Sequence, residues 1–184
     1  MLVLGNDMAK VLKEMGFLGG DMTDVIGAAR NVIASDRSRD EKLLEVCALV
    51  KEHLEGCDWV GFYIVDQIGE LVLGPFIGAP TDHVHIPLGK GVCGRAAQCK
   101  ETIIVDDVSK ERNYLACSMD VKSEIVVPIK RGEEVLAELD IDSHRPACFG
   151  CDEKHILESL CSELAPLFYS CNQKEIEEEE VKKT

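Results

Sequence analysis

Residues 58–76 read DWVGFYIVDQIGELVLGPF, and this stretch decides the fold. Two runs rich in β-branched and aromatic residues flank a short polar turn at 67–70, which predicts two antiparallel strands joined as a hairpin. Residues 124–142, EIVVPIKRGEEVLAELDID, repeat this arrangement around a turn at 131–132. Two such hairpins predict a central antiparallel sheet.

Helical segments flank both hairpins. Apolar residues recur at helical spacing over 40–54 and 152–167, and a short helix is expected at 92–99 after a glycine-rich loop. Short strands are expected at 84–86 and 102–105. We therefore expect an α+β fold, in which a central antiparallel sheet is flanked by helices.

The length of the chain fits one folded domain. With 184 residues, 46% of them hydrophobic and 29% charged, the chain can bury a core without disulfides or metals. We expect an N-terminal helical extension at residues 1–38, the main domain at 39–171 and a charged C-terminal tail at 172–184.

The chain is acidic, because 34 Asp and Glu residues outnumber 20 Lys and Arg residues and give a net charge of −14. This charge repels phosphate backbones and anionic lipids, so we expect no binding to nucleic acid or to a membrane surface. No apolar run reaches the ~18 residues of a membrane span, and the first residues lack the apolar core of a signal peptide. No cofactor is expected, since the GKG at 89–91 lacks the order of a phosphate-binding loop.

Nine cysteines stand at irregular spacing along the chain. An odd and irregular set does not indicate a disulfide framework, and free thiols persist in a reducing compartment. We therefore expect a cytoplasmic protein.

Three acidic residues form the strongest candidate for a reactive site. Asp140 and Asp142 lie two residues apart in a predicted strand, so their side chains leave the same sheet face. Glu124 begins the partner strand and is expected to reach the same end of the hairpin. Carboxyl groups that share a pocket repel one another, so at least one should have a raised pKa and act as a general acid near neutral pH. Solvated acids at a strand end are the alternative.

Two cysteines in loops are candidates for redox chemistry. Cys93 lies where the short helix begins, and the amides of a helix N-terminus, with Lys90 nearby, stabilise a thiolate. Cys117 lies in a long polar loop, seven residues before Glu124. A thiolate beside protonated acids has the groups needed to reduce an electrophilic sulfur or carbonyl centre. Two incidental thiols are the alternative.

A third candidate is a set of metal ligands around a Cys-x2-Cys motif. His144, Cys148, Cys151 and His155 have the residue types and the short spacing of a tetrahedral zinc site. The alternatives are a labile Cys148–Cys151 disulfide and a plain loop before the last helix, with Asp152 as the N-cap.

Five motifs, taken together, resemble one family, the GAF-domain free methionine-R-sulfoxide reductases. In chain order they are DWVGFYIVD at 58–66, ELVLGPFIG at 70–78, IPLGKGVCG at 86–94, ACSMDVKSEIVVPI at 116–129 and LDIDS at 139–143. The similarity covers about residues 40–168. The resemblance implies the GAF fold for residues 39–171 and the thiol-dependent reduction of free methionine R-sulfoxide to methionine.

The resemblance also implies a role for each candidate residue. Cys117 corresponds to the nucleophile, which becomes a sulfenic acid as methionine is released. Glu124, Asp140 and Asp142 correspond to acids that bind the substrate and assist the departure of the sulfoxide oxygen. Cys93 corresponds to an auxiliary or resolving thiol.

Pocket aromatics and partners follow from the same resemblance. Trp59 and Tyr63 correspond to aromatic residues of the substrate pocket, and a separation of four residues puts them on one face of a strand. A thioredoxin-type reductant would reopen the disulfide that forms during turnover. The family commonly forms homodimers, so a homodimer is expected.

One segment departs from the pattern of the family. The stretch GAPTDHVHI at 78–86 has one extra residue and lacks the cysteine that commonly resolves the sulfenic acid. Either Cys93 resolves Cys117 directly, or an external thiol does, or turnover has been lost. A GAF module that binds a small ligand without catalysis is therefore an alternative function, and a redox- or metal-responsive protein that uses the His144-Cys148-Cys151-His155 set is another.

Overall fold

The computed structural model describes residues 22–111, 115 and 120–169. In chain order its elements are α1 (Met22–Ala34), α2 (Arg39–His53), β1 (Trp59–Val65), β2 (Leu71–Ile77), β3 (His85–Ile86), α3 (Gly91–Cys99), β4 (Ile103–Val105), β5 (Ser123–Arg131), β6 (Glu134–Ser143) and α4 (Cys151–Leu164). Short 3-10 helices at Val108–Lys110 and Ala165–Phe168 follow β4 and α4. Helix α1 lies within the predicted extension, whereas residues 1–21 and the predicted tail at 172–184 lie outside the described residues.

The strands form one six-stranded antiparallel sheet in the order β3-β2-β1-β6-β5-β4. Both predicted hairpins are confirmed, since β1 pairs with β2 and β5 pairs with β6. Strand β6 lies in the middle of the sheet, between β1 and β5. The predicted α+β fold with a central antiparallel sheet is therefore confirmed.

A capping box starts helix α2. The Ser38 Oγ accepts a hydrogen bond from the Glu41 amide at 3.4 Å, and the Glu41 carboxylate accepts one from the Ser38 amide at 2.9 Å. The two bonds satisfy amides that a helix start otherwise leaves free. The helix consequently begins at Arg39, one residue before the predicted start.

Three helices cover one face of the sheet and form the larger core with it. Helix α2 contributes Leu43 and Val50, α4 contributes Leu157 and Leu160, and β6 contributes Leu139. Helix α1 packs against both α2 and α4. The apolar side of each of these helices therefore packs into the larger core.

Helix α3 and the loops around it cover the opposite face and enclose a second, smaller core. This core includes Trp59 and Tyr63 of β1, Phe76 of β2, Val92 of α3 and Val126 of β5. Side chains alternate along a strand, so the residues of each central strand that do not face the larger core face this smaller one. In β6 those residues are acidic, and this is the face that holds the candidate site.

Helix α4 begins differently from the prediction. Its N-cap is Gly150, so the prediction of Asp152 as the N-cap is wrong. The Glu153 carboxylate accepts a hydrogen bond from the Gly150 amide at 2.8 Å. This bond satisfies the N-cap amide although the N-cap glycine has no capping side chain. Asp152 lies in the first turn of the helix, where negative charge is favourable.

None of the helices in the described ranges combines the length and the apolar character that a bilayer crossing requires.

Candidate functional site

Strand β6 points three acidic side chains at one face of the sheet. Glu138, Asp140 and Asp142 alternate with Leu139 and Ile141, which face the larger core. The relative exposure of Glu138 and Asp140 is 0%, and that of Asp142 is 1%. The predicted common face of Asp140 and Asp142 is confirmed, and Glu138 joins them.

The strands on either side of β6 complete the set. Asp142 pairs with Trp59 of β1 on one side and with Glu124 of β5 on the other. The carboxyl group of Glu124 therefore lies beside that of Asp142. Glu138 stands in register opposite Tyr63 of β1. The predicted approach of Glu124 to Asp142 is therefore observed, and two aromatic side chains border the row of acids.

A glycine makes room for the larger of these aromatic rings. Gly61 pairs with Asp140, and a Cβ atom at Gly61 would lie 2.4 Å from Trp59 Cη2 and 2.6 Å from Phe76 Cβ. The indole of Trp59 consequently lies across the backbone at Gly61 and stacks on Phe76, with ring centroids 5.4 Å apart. Gly61 is thus required by the close approach of a ring to the strand.

Both aromatic residues hold the segment at 78–86 by hydrogen bonds. Trp59 Nε1 donates to the carbonyl oxygen of Ala79 at 3.0 Å, and the Tyr63 hydroxyl donates to that of His83 at 2.9 Å. The two rings lie on the same face, as predicted, with centroids 6.5 Å apart. The segment that departs from the family pattern is therefore tied to the site by two polar contacts.

Helix α3 brings a thiol to the acids. Cys93 is the third residue of α3, and its Sγ lies 3.4 Å from Asp140 Oδ2 and 3.8 Å from Glu124 Oε1. Lys90, the residue before α3, is exposed, and its support of a thiolate at Cys93 stays a prediction. The described partners of the thiol at hydrogen-bonding distance are carboxyl groups.

Burial raises the pKa of every carboxyl group in the site. Desolvation is the largest cause, and it raises the pKa of Asp140 to about 7. The pKa values of Glu124, Glu138 and Asp142 also rise well above their ordinary range, through desolvation and then through repulsion by Asp140. In the described residues the buried charged side chains are these four acids alone, so no buried cation offsets them.

Several oxygens of the site are available to a ligand. Within the described ranges, both carboxyl oxygens of Glu138 and of Asp142, and Oδ1 of Asp140, have no hydrogen-bond partner. Buried polar atoms without a partner are rare in folded proteins, and they indicate a place for a bound group or an unusual chemical role.

Comparison with known proteins places this geometry in a family. The GAF domain family profile matches residues 38–166. The free methionine-R-sulfoxide reductase of Escherichia coli is 32% identical over 143 residues, which cover 78% of this chain and 86% of that protein. The chain belongs to the GAF-domain free methionine-R-sulfoxide reductase family.

Two further proteins are similar to this chain, one named for its GAF domain and one for its reductase activity. GAF domain-containing protein A of Dictyostelium discoideum is 40% identical over 130 residues, 70% of this chain and 81% of that one. The structure of the free methionine-R-sulfoxide reductase of Neisseria meningitidis in complex with its substrate has a TM-score of 0.75 and 32% identity. The match covers 95% of this chain and 98% of that one.

Cys117, which the resemblance predicts to be the nucleophile, lies outside the described residues. The described residues on either side of it contact the candidate site. Leu115 lies against Gly91 at the start of α3, where a Cβ atom would come within 3.2 Å of the leucine side chain. Val121 is buried in the same small core as Cys93.

The predicted metal ligands of the Cys-x2-Cys motif are not brought together. His144 Nδ1 lies 3.6 Å from Asp58 Oδ1, and the Cys148 thiol donates to the carbonyl oxygen of Glu55 at 3.6 Å. In the part of the chain that the structure describes, the set whose donor atoms converge is Cys93, Glu124 and Asp140, while Cys151 and His155 are exposed on α4. Short spacing along the chain therefore did not produce a common centre among the described residues.

Sequence reasoning missed Glu138 and Gly61. Glu138 has the same parity as Asp140 and Asp142, so its place on their face was available from the alternation alone. Gly61 carried the signal of a glycine inside an apolar strand, which indicates a close approach of another group.

Replacing Glu138 with glutamine is expected to stabilise the fold at pH 8, on the order of 1.4 kcal/mol or more, the free energy of a one-unit pKa shift. Folding raises the pKa of Glu138, so the folded state holds this proton more tightly and loses stability as the pH rises through the raised pKa. Glutamine does not titrate. Urea unfolding of both proteins at pH 5 and pH 8 checks this, because the advantage of the variant should shrink at pH 5. An equal difference at both values would contradict the account.

Proposed function

We propose that this protein reduces free methionine R-sulfoxide to methionine, with Cys117 as the nucleophile. The proposal rests on the buried group of Cys93, Glu124, Asp140 and Asp142, which two aromatic residues of β1 border. It occurs in a chain that is 32% identical, over most of its length, to a free methionine-R-sulfoxide reductase. Free methionine sulfoxide is small enough to bind in an enclosed pocket, whereas a sulfoxide within a protein chain is not.

The acids account for recognition and for protonation. A free amino acid carries an ammonium group, and this positive charge lowers the pKa of a carboxyl group beside it. Asp142, with its two unpartnered oxygens, would then be ionised and neutralise the ammonium group. A second carboxyl group that stays protonated donates to the sulfoxide oxygen. Asp140, with a pKa of about 7, is matched to this task near neutral pH. Trp59 offers an apolar face to the methyl-sulfur end of the substrate.

The chemical step conserves atoms and electrons. The thiolate of Cys117 attacks the substrate sulfur, and protonation by Asp140 makes the sulfoxide oxygen a leaving group. The oxygen then passes as a hydroxyl from the substrate sulfur to the Cys117 sulfur. The substrate S–O bond and the transient S–S bond between the two sulfurs break, and the new S–O bond makes Cys117 a sulfenic acid, so the substrate sulfur gains two electrons and the cysteine sulfur loses two. Methionine is released.

Cys93 is the proposed resolving thiol. Its sulfur condenses with the sulfenic acid of Cys117, which forms a disulfide and releases water. The position of Cys93 against Asp140 and Glu124 supports this role, since the segment at 78–86 has no cysteine to offer. A dithiol reductant of the thioredoxin type then returns both cysteines to thiols.

Two further features complete the proposal. A homodimer is proposed from the family resemblance, and sedimentation velocity on the full chain tests it. A cytoplasmic location is proposed from the cysteine-rich composition, because nine thiols persist only in a reducing compartment.

The test is methionine release from the separated R and S diastereomers of free methionine sulfoxide, with dithiothreitol and separately with thioredoxin. We expect release from the R form with both reductants and no release from the S form. Release with dithiothreitol alone would contradict recycling by that thioredoxin. Binding of the R form without release under either reductant would contradict the proposal and favour a ligand sensor.

A further inference from the structure

We propose that the reduced protein binds one zinc ion through Cys93 Sγ, Glu124 and Asp140, in the same pocket that binds methionine sulfoxide. The ion and the substrate would then exclude each other. The binding of zinc does not depend on the proposed reductase activity, although the competition with substrate does.

The positions of the donor atoms fit a tetrahedral ion. Zinc lies about 2.3 Å from a cysteine sulfur and about 2.0 Å from a carboxylate oxygen, which separates two such donors by about 3.5 Å. The Sγ of Cys93 lies 3.4 Å from Asp140 Oδ2 and 3.8 Å from Glu124 Oε1. All three donor atoms lie within 4.8 Å of one another. One ion can therefore contact all three with little movement.

The mixture of donors favours zinc over other divalent ions. Calcium and magnesium bind oxygen ligands, and a sulfur donor does not suit either ion. A thiolate beside carboxylates suits a borderline ion such as zinc. Three protein ligands leave a fourth position for water or for another group, as in zinc sites that are not closed.

The surroundings of the three ligands also favour a bound positive charge. Glu138 and Asp142 are buried on the same face as Asp140, and their four oxygens have no hydrogen-bond partner among the described residues. The buried charged residues in the described ranges are all acidic. A free methionine sulfoxide brings an ammonium group together with its own carboxylate, whereas a zinc ion brings two positive charges into a site of low dielectric.

Bound zinc has two consequences for the chemistry of the site. It holds Cys93 as a coordinated thiolate, which removes that thiol from reaction with alkylating agents. It also occupies Glu124 and Asp140, the groups assigned above to substrate. On the proposed function, zinc is therefore a reversible inhibitor that competes with methionine sulfoxide.

The experiment titrates zinc into reduced, chelator-treated full-length protein by calorimetry, with cobalt as a spectroscopic probe of thiolate ligation. We expect one ion per chain and a thiolate-to-cobalt charge-transfer band. Cys93→Ser should remove the band and weaken zinc binding by at least about 100-fold, beyond the ~10–100-fold that changes around a metal site cause without removing a ligand. Asp140→Asn should weaken binding similarly.

Control variants separate this site from other thiols. Cys99→Ser changes an exposed thiol of the same helix and should leave zinc binding unchanged. The double variant Cys148→Ser/Cys151→Ser should also bind zinc normally, because these residues do not converge. Circular dichroism checks that each variant is folded.

Proton release gives an independent readout. The three ligands must lose their protons to bind the ion, so zinc affinity should increase with pH and the heat of binding should depend on the buffer. Absence of zinc binding, or binding that survives Cys93→Ser, would overturn the proposal. Normal zinc binding in a protein that releases no methionine would instead overturn the proposed function and leave the zinc site standing.

Discussion

Replacing Cys117 with serine is expected to lower methionine release from free methionine R-sulfoxide by at least about 10³-fold, as the loss of an activated nucleophile commonly does. A serine hydroxyl at the same position does not ionise near neutral pH, so it cannot attack the substrate sulfur as a thiolate does. Binding of the sulfoxide should persist, because the acids and aromatic residues of the pocket are unchanged. Steady-state kinetics and equilibrium titration with the R diastereomer measure the two effects.

The matched control for this variant is Cys99→Ser. It makes the same chemical change at the exposed end of α3, away from the buried acids, and its activity should equal that of the unmodified protein. Full activity in the Cys117→Ser protein would show that another group attacks the substrate. Loss of binding together with activity would show that Cys117 acts in recognition.

Replacing Asp140 with asparagine is expected to lower kcat by about 10²–10⁴-fold, the range of general acid catalysis. An asparagine side chain cannot supply the proton that the sulfoxide oxygen needs as it leaves. It keeps nearly the same shape, so the 0% exposure of this position does not by itself predict misfolding. Single-turnover rates of methionine release measure the change.

The pH profile distinguishes a lost acid from a lost contact. The protonated form of Asp140 is the active one, and its pKa is about 7, so the rate should fall as the pH rises through that value. The Asp140→Asn protein should lack this descending limb. Asp36→Asn, a change at an exposed residue before α2, is the control and should retain the full profile. An unchanged descending limb in Asp140→Asn would assign the acid to another carboxyl group.

The fold was predictable because its signals are local. The β-branched and aromatic runs around Gly69 and Gly132 predict both hairpins, and helical periodicity predicts the helices that cover the sheet. The alternation of Asp140 and Asp142 with apolar residues also predicted that these two acids share one face of the sheet. These patterns are set by the geometry of a single strand or helix, so one sequence contains them.

The details of the site depend on contacts between distant elements, which one sequence does not contain. Strand β5 has a register irregularity between Ile129 and Lys130, so the pairing of Glu124 with Asp142 could be expected only approximately from the turn. The approach of Cys93 to Asp140 depends on how α3 packs on the sheet.

For the motif around Cys148, the sequence instead predicted a convergence of side chains that the described structure does not contain. A Cys-x2-Cys motif with nearby histidines suggested a metal centre, yet the backbone turn before α4 sends Cys148 towards Glu55 and leaves Cys151 exposed. The convergent donors of the described chain are instead Cys93, Glu124 and Asp140, which come from three separate elements. The sequence had named all three as candidate site residues, but the convergence of their donor atoms depends on strand pairing and on the packing of α3, which one sequence does not contain.

The most direct test of the account is a single turnover without added reductant. Reduced protein is mixed with one equivalent of free methionine R-sulfoxide, and peptides are then analysed by mass spectrometry. The account predicts release of methionine together with either a sulfenic acid on Cys117 or a disulfide between Cys117 and Cys93. Methionine release with Cys117 still a free thiol, or no release from a protein that binds the sulfoxide, would contradict it.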